Sequence, residues 1–128
     1  SNPPFYENEL RSEDERKNIA HHSDSLRLHD LLTIIKENLS QNGDFFLLLP
    51  YKRNEEIRKL FTHHHLMIAG ILFIRQSPKH DYFRIFIKGK RGLQEKAETG
   101  FNEIAIWNNK QLYTPEFTEL LKDFYLHL

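Results

Sequence analysis

The sequence has no cysteine, no excess of charge of either sign and no long apolar run. Without thiols there is no disulfide scaffold, thiolate zinc site or cysteine nucleophile. Because 18 Lys and Arg balance 18 Asp and Glu, a globally basic nucleic-acid binder and an acidic disordered tail are excluded. The longest apolar run, residues 66–74, is shorter than the roughly 20 residues of a membrane-spanning helix, and no charged-then-apolar leader opens the chain. We therefore expect a soluble cytoplasmic protein without membrane contact.

The 128 residues nevertheless carry enough apolar material for one packed unit. Hydrophobic residues make up 39% of the chain and aromatic residues 12%, which supports a core of common size. Residues 1–25 are mostly polar and charged, which is typical of a functional loop or of a mobile one. We therefore expect a single unit, residues 1–128, in which residues 1–25 form a loop region and residues 26–128 an α/β body.

Apolar residues recur at helical spacing in three segments. Asn42-Gly43 is a C-cap signal after the first, Asn54 is a candidate N-cap of the second, and Thr114 with Pro115 begins the third. The predicted buried faces are, in chain order, Leu28, Leu31, Leu32, Ile35 and Leu39; Ile57, Leu60 and Phe61; and Phe117, Leu120, Leu121 and Phe124.

Strand patterns separate these helices. Residues 45–49 are apolar without alternation, which predicts a strand covered on both faces. Residues 66–74 and 82–87 flank a polar turn and predict an antiparallel hairpin. Residues 88–100 read as a polar loop, and a short last strand around Ile104 leads to Trp107, which we expect to pack.

The tetrad Asn2-Pro3-Pro4-Phe5 is the most specific chemical signal in the chain. Pro3 forces Asn2 into an extended conformation, and each proline fixes its own φ and lacks an N–H. The segment therefore offers a side-chain carbonyl, a rigid backbone carbonyl and a flat ring. Such a set suits a planar ring with an exocyclic amine, because two acceptors that hold its N–H bonds would free the nitrogen lone pair. A proline-stiffened loop with a core phenylalanine is the alternative.

The tetrad resembles the fourth motif of adenine amino-methyltransferases, and further segments are similar to the bacterial valine-tRNA adenine-37 methyltransferases. The resemblance covers nearly the whole chain and is most specific near its C-terminus. The segments that carry it besides the tetrad are His21-His22-Ser23, residues 26–32, Leu49-Pro50, Tyr113-Thr114-Pro115-Glu116-Phe117 and residues 120–126.

The resemblance implies the C-terminal half of a Rossmann-like class I methyltransferase domain, which is α/β with a mixed sheet and an antiparallel hairpin. It also implies methyl transfer from S-adenosylmethionine to the exocyclic amine of adenine in tRNA. Asn2 and the Pro3 carbonyl would hold the amine, Pro4 would stiffen the catalytic segment, and Phe5 would stack on the base. The tetrad alone leaves open a methyltransferase for DNA, ribosomal RNA or protein glutamine, and a non-catalytic RNA-binding or assembly module.

The family binds its cofactor with a glycine-rich turn after the first strand and an acidic residue after the second, and this sequence has no such turn. We therefore expect a C-terminal part that lacks the cofactor half, does not bind S-adenosylmethionine and is inactive alone. Strand 45–49 would then have a bare apolar edge. We expect that edge to pair with another copy of the chain or to be covered by the N-terminal segment.

Two kinds of polar cluster remain. Lys52 and Arg53, and Lys88, Lys90 and Arg91, are local basic patches that are candidates for RNA phosphate contact, with solubilising charge as the alternative. His63-His64-His65 and His21-His22 with Asp24 invite a metal. However, consecutive side chains diverge, so we expect no metal site. We assign His63-His64-His65 to a helix C-terminus, and expect His21 and His22 to be structural or to face RNA.

Overall fold

The computed structural model of the chain describes residues 28–92 and 101–124. These residues form a four-stranded mixed sheet with helices. None of the helices in the two described ranges has the length and apolar character to cross a bilayer. In chain order the elements are α1 (28–38), β1 (Asp44–Pro50), a 3₁₀ turn (Tyr51–Arg53), α2 (Asn54–His63), β2 (Leu66–Arg75), β3 (Tyr82–Arg91), β4 (Phe101–Ala105) and α3 (Pro115–Leu121).

The strand order is β1-β3-β2-β4. β3 runs antiparallel to both of its neighbours, β1 and β2, whereas β4 runs parallel to β2. The mixed α/β sheet and the antiparallel β2–β3 hairpin are therefore confirmed. β1 and β2 point in the same direction, as expected for a strand–helix–strand unit, but β3 is inserted between them.

The core lies between one face of the sheet and the helices α1 and α2. The faces predicted for these two helices are confirmed, because Leu28, Leu32, Ile57 and Phe61 are buried and the remaining members pack against them. β1 and β3 contribute alternate residues, which are Phe45, Leu47 and Leu49, and Ile85 and Ile87. β2 contributes Leu66, Ile68 and Ile71, with a register shift between Ile68 and Gly70.

The expectation that β1 is covered on both faces is wrong for the described residues. Burial alternates along the strand, with Leu47 and Leu49 fully buried and Phe46 43% exposed. Phe46 stacks on Phe86 of β3, with ring centroids 5.6 Å apart. The uninterrupted apolar run therefore belongs to a strand with apolar side chains on both faces. One face is buried in the core, and the other is exposed among the described residues.

The prediction of a polar loop over 88–100 is also wrong at its start, because Lys88 to Arg91 complete β3. A glycine in this segment suggests a loop, but Gly89 lies opposite Phe45 in the ladder. A Cβ on Gly89 would lie 2.2 Å from the Phe45 ring. The glycine therefore leaves space for the Phe45 ring. The centroid of this ring lies 5.6 Å from that of the Phe61 ring. Residues 93–100 lie outside the described ranges.

Only one of the predicted helix signals acts as expected. Thr114 is the N-cap of α3, and its Oγ1 accepts a hydrogen bond from the Phe117 N–H at 3.2 Å. Asn54 is not a cap; its Oδ1 accepts from Arg58 Nε at 3.1 Å, and Arg53 precedes the helix without a capping bond. The helical residues of α1 end at 38, so Asn42-Gly43 belongs to a following turn.

The predicted apolar stripe of α3 is not buried. The helix ends at Leu121, and no residue within it is buried. Leu120 is 53% exposed and Phe124, beyond the helix, is 80% exposed. The stripe is therefore covered only in part, because Phe117 and Leu121 are half-buried whereas Leu120 and Phe124 are exposed.

Candidate functional site

The tetrad Asn2-Pro3-Pro4-Phe5, which is predicted to be catalytic, lies outside the described residues, as do His21, His22 and Asp24. Their predicted roles stay predictions. The described residues do define the edge of the sheet on which a ligand would be expected. In α/β sheets, ligands bind in crevices outside the carboxyl ends of the parallel strands.

The carboxyl ends of β1, β2 and β4 meet at one edge of the sheet. Pro50, at the end of β1, and Ile74, near the end of β2, both pair with Arg84 of β3. Ala105, at the end of β4, pairs with Arg75 of β2. The turn after β2 and the loop after β4 therefore lie next to each other, although they are far apart in the sequence.

A cleft of about 400 Å³ opens between this turn and this loop. We call it the edge cleft; it is lined by residues from 76–80 and 107–111. The N–H of Trp107 donates to the carbonyl of Gln76 at 2.8 Å and fixes the distance between the two walls. Sequence reasoning missed the cleft, because its two walls are brought together only by the parallel pairing of β2 with β4.

The wall after β2 is a tight turn. The His80 N–H donates to the Ser77 carbonyl at 3.0 Å, and the side chains of Ser77 and His80 are joined by a hydrogen bond of 2.7 Å between Oγ and Nδ1. Lys79, between them, is exposed. The turn therefore presents a cation and an imidazole from a braced backbone.

The wall after β4 is a loop that is stabilised by hydrogen bonds to the side chain of Asn108. Oδ1 of Asn108 accepts from the N–H groups of Lys110 at 2.8 Å and Leu112 at 3.1 Å. Gln111 adopts a left-handed conformation with φ of 59°, which is uncommon for a residue with a side chain. The carboxamide oxygen of Asn108 therefore holds the loop in one shape.

Trp107 links the cleft to α3 through a ladder of three rings. Its ring lies 4.2 Å from that of Tyr113 with an interplanar angle of 17°, and Tyr113 lies 5.2 Å from Phe117. Trp107 nevertheless stays 37% exposed. The expected packing role is thus only part of its environment, because one side of the indole is stacked while the ring also lines the edge cleft.

Lys88 and Lys90 lie on the exposed face of β3 and converge on Asp44. Their Nζ atoms are 2.8 Å and 3.3 Å from its carboxylate oxygens. The hydrogen bond from Lys88 is the largest cause that lowers the pKa of Asp44. Lys88 also lies 5.9 Å from the centre of the Phe46 ring. RNA contact by these two lysines stays a prediction, and the structure adds an exposed aromatic ring beside them.

The two arginines of the basic patches make internal contacts. Arg53 is 8% exposed, and its guanidinium donates to both carboxylate oxygens of Glu56, at 2.7 Å and 2.8 Å. Arg91 donates to the carbonyls of Leu39 and Lys36, near the C-terminal end of α1, where cations are favoured. Lys52 is exposed on the 3₁₀ turn. RNA contact by Lys52, Arg53 and Arg91 stays a prediction.

Three histidines cluster where α2 ends against α1. The ring of His64 lies 4.4 Å from His29 and 5.3 Å from His63. Burial is the main cause that lowers the pKa of His64, and the positive charges of His29, His63 and Lys36 add to the effect. No group in residues 28–92 and 101–124 has the ligands in place to hold a metal ion. Sequence reasoning found the end of the helix but missed His29, which lies beside the buried Leu28.

A polar network joins β2, β3 and β4 at the edge that carries the cleft. Glu103 accepts hydrogen bonds from Arg75 and from the hydroxyl of Tyr82. The bond to Glu103 is the largest cause that raises the pKa of Tyr82. The network ties the ends of three strands together beside the edge cleft.

Comparison with curated proteins shows that the whole of this chain is similar to part of several proteins that share one name. The chain is 28% identical over 128 residues to the tRNA1(Val) (adenine(37)-N6)-methyltransferase of Flavobacterium johnsoniae. It is 30% identical over 128 residues to the protein of that name from Christiangramia forsetii and 32% identical over 132 residues to that of Dyadobacter fermentans. The resemblance to the valine-tRNA adenine-37 methyltransferases is confirmed.

These relatives are longer than the chain. The matches cover 100%, 100% and 98% of this chain but only 54%, 52% and 53% of the three relatives. The chain thus spans about half the length of the curated relatives it matches. No protein-family model matches the chain.

A solved structure supports the fold. A predicted O-methyltransferase from Agrobacterium tumefaciens superposes with a TM-score of 0.62 at 17% identity and covers 73% of this chain and 45% of that one. At this identity the similarity concerns the fold alone. Together with the mixed sheet it supports the α/β fold that the resemblance implies.

Proposed function

We propose that the protein to which this chain belongs transfers a methyl group from S-adenosylmethionine to the exocyclic amine of an adenine in tRNA. The observation that carries the proposal is the similarity of the whole chain to relatives named as methyltransferases of this kind. Such an enzyme would act in the cytoplasm, where its tRNA substrate is found. Residues 1–25 would supply the substrate loop and residues 26–128 the half-domain that supports it.

The tetrad would bind the amine. The Asn2 side-chain oxygen and the Pro3 carbonyl would each accept one N–H of the amine, and Pro4 would hold the backbone rigid. Phe5 would stack on an adenine that has left its helical stack. These contacts act by positioning and by preorganised electrostatics, and S-adenosylmethionine supplies the electrophilic methyl group.

The described residues do not fit the cofactor. Glycine-rich turns after a strand are the usual cradle for it, but β1 runs into Tyr51–Arg53 and β2 into Gln76 and Ser77. We therefore propose that the cofactor is bound by a part of the full-length protein outside this chain. The chain alone is then inactive, and a calorimetric titration with S-adenosylmethionine should give no measurable heat of binding. Micromolar affinity would contradict this.

The substrate class is tested with labelled cofactor and the full-length protein. Transcripts of valine tRNA, ribosomal RNA, duplex DNA and a glutamine-containing protein substrate are compared in parallel. The proposal expects label in tRNA, and expects Asn2→Ala to abolish most of the transfer, since it removes one of the two acceptors. Lys59→Ala, an exposed change on α2, is the matched control. Binding of tRNA without transfer would favour a non-catalytic module instead.

Lys88 and Lys90 are proposed as phosphate contacts within the same function. Losing a phosphate contact weakens binding for all sequences and flattens the dependence of affinity on salt. A double Lys88→Ala, Lys90→Ala variant should show a flatter salt dependence of tRNA binding than the wild type. An unchanged slope would assign both lysines to their ion pairs with Asp44.

Self-association through residues 45–49 remains a proposal for the isolated chain. β1 is at the end of the sheet described here and pairs with β3. An apolar strand in that position favours pairing with another chain. Solution scattering at rising concentration should show a dimer or a larger species. A monomer at all concentrations, with this edge rapidly exchanging its amide hydrogens, would contradict the proposal.

A further inference from the structure

The edge cleft has the shape and position of a ligand site. Its volume of about 400 Å³ is within the range of small-molecule pockets. It lies outside the carboxyl ends of β2 and β4, the side of an α/β sheet on which ligands bind. The hydrogen bond between Trp107 and Gln76 and the bonds to Asn108 hold the cleft open before any ligand arrives.

The cleft offers an aromatic surface. Trp107 lines it and is 37% exposed although its ring stacks on Tyr113 at 4.2 Å. A ring that is held from one side by a second ring loses little freedom when a planar ligand stacks on it. Nucleobases are such ligands, and each base has a π-face that an aromatic side chain accepts.

The polar groups around the ring suit the edge of a base. Gln76, Asn109 and Gln111 line the cleft with carboxamide side chains. Each carboxamide provides both a donor and an acceptor, which is the pattern that unpaired bases present on their Watson–Crick and Hoogsteen edges.

The charge of the lining suits a phosphate. Lys79 and His80 belong to the lining, and no carboxylate does. Lys79 is exposed at the tip of the turn, so its ammonium group can reach a phosphate at the mouth of the cleft. The aromatic ring, the carboxamides and the cation together are complementary to the base and the phosphate of one nucleotide in a single strand.

We propose that the edge cleft binds an unpaired nucleotide of the RNA substrate, with its base on Trp107 and its phosphate near Lys79. This deepens the proposed function, since it names a second point at which the chain would hold RNA, apart from the tetrad. The cleft would bind a nucleotide next to the adenine that is methylated, in an RNA loop whose bases are unpaired and accessible. Trp107 and Lys79 are binding residues in this proposal and take no part in methyl transfer.

The only tryptophan of the chain is Trp107, so its fluorescence reports on the cleft alone. We expect a single-stranded RNA hexamer to quench this fluorescence in a saturable way. Adenosine monophosphate should quench it with lower affinity, and inorganic phosphate should not quench it. This separates a strand from a free nucleotide and from an anion. RNA that binds by anisotropy without changing the fluorescence would overturn the proposal.

Lys79→Ala leaves the fluorophore in place and tests the phosphate. The slope of log affinity against log salt should fall by about 0.7, the value for one phosphate of a single strand. Lys59→Ala is the matched control, with an exposed lysine on α2, and should leave the slope unchanged. Equal slopes for both variants and the wild type would contradict the assigned contact.

Trp107→Ala and Trp107→Phe separate stacking from folding. The alanine variant should bind the hexamer about tenfold more weakly or worse, because stacking on an aromatic side chain is lost. Phenylalanine should restore much of the affinity, since it keeps a ring. Equal loss in both variants with unchanged thermal stability would contradict a stacking role.

Different results would refute RNA binding by the edge cleft and methyl transfer by the full-length protein. Full-length protein that methylates tRNA with the same KM when Lys79 or Trp107 is replaced would refute the cleft and leave the methyltransferase intact. Quenching by RNA in a protein that transfers no methyl group to tRNA would refute the methyltransferase and retain the cleft as an RNA site.

Discussion

Residues 28–92 and residues 101–124 are stabilised in different ways. The first region, which we call the body, buries twelve apolar side chains in one core between the sheet and two helices. In the second, the C-terminal segment, Ile104 and Thr114 are the buried residues of the described part, and α3 has none. The body is therefore a scaffold set by apolar burial, whereas the segment depends on a parallel ladder, turn hydrogen bonds and stacked rings.

The difference bears on function. Apolar packing fixes a backbone but leaves few groups for recognition. The C-terminal segment leaves the Trp107 ring and the carboxamides of Asn109 and Gln111 at the surface, where they form one wall of the edge cleft. We infer that the body maintains the fold, and that the edge cleft is formed where the turn 76–80 of the body meets the loop 107–111 of the C-terminal segment.

A matched pair of leucine substitutions gives the largest expected contrast. Leu47→Ala removes a fully buried side chain and should lower the free energy of unfolding by about 2–5 kcal/mol. Leu120→Ala removes one that is 53% exposed and should change it by about 0.5 kcal/mol or less. Urea titrations of both variants measure the two values. Equal losses would mean that the C-terminal segment is as tightly packed as the body.

A pair of glycine substitutions tests the packing of the body itself. Gly89→Ala places a Cβ 2.2 Å from the buried Phe45 ring, and such overpacking should cost about 1–3 kcal/mol. Gly70→Ala meets its nearest neighbour, the Cβ of Lys88, at 3.9 Å, so this control should be near neutral. Thermal denaturation measures both variants. A Gly89→Ala variant as stable as the wild type would mean that the Phe45 ring can move aside and is not tightly packed.

Thr114 tests how the C-terminal segment is held. Its hydroxyl donates to the carbonyl of Ala105 and accepts from the N–H of Phe117, so it joins β4 to α3. Thr114→Ala should cost about 1 kcal/mol, as loss of an N-cap does. Thr114→Ser keeps the oxygen and should retain most of that stability. A serine variant as unstable as the alanine variant would assign the effect to the lost methyl group.

The smallest effect concerns pH and His64 of the body. Its pKa in the folded protein lies below the ordinary value of 6.5, so the unfolded chain binds the extra proton first as pH falls. The contribution of neutral His64 to the free energy of unfolding is therefore fully present above about pH 6.5. It is lost as the pH falls from there through the pKa of His64 in the folded protein. Urea midpoints between pH 8 and 5 should fall less for His64→Leu than for the wild type. His80→Ala, on the exposed turn, should follow the wild type.

Periodicity predicted the elements of the body well, because amphipathic helices and alternating strands leave a direct trace in sequence. The faces of α1 and α2 and the β2–β3 hairpin follow from local spacing, as does the Thr114 cap in the C-terminal segment. Local spacing could not show that β3 lies between β1 and β2, or that one face of β1 is open. It misread Gly89, because a glycine required by a ring on the neighbouring strand has the same sequence signal as a glycine in a loop.

The candidate site was less predictable for the same reason. The chemistry proposed for Asn2-Pro3-Pro4-Phe5 rests on adjacent residues alone and stays a prediction, because the tetrad lies outside the described residues. The edge cleft combines a turn and a loop from distant parts of the chain, and the cluster of His29 with His64 joins two helices. Such sites depend on tertiary pairing, which a single sequence encodes only indirectly.

The central claim is methylation of an adenine amine in tRNA, with the amine held by the Asn2 oxygen. Its most direct test is mass spectrometry of nucleosides from valine tRNA treated with the full-length protein and S-adenosylmethionine. We predict N6-methyladenosine at position 37 with the wild type and a strong loss with Asn2→Ala, while Lys59→Ala stays active. A methyl group on another atom or substrate, or an Asn2→Ala variant as active as the wild type, would contradict the claim.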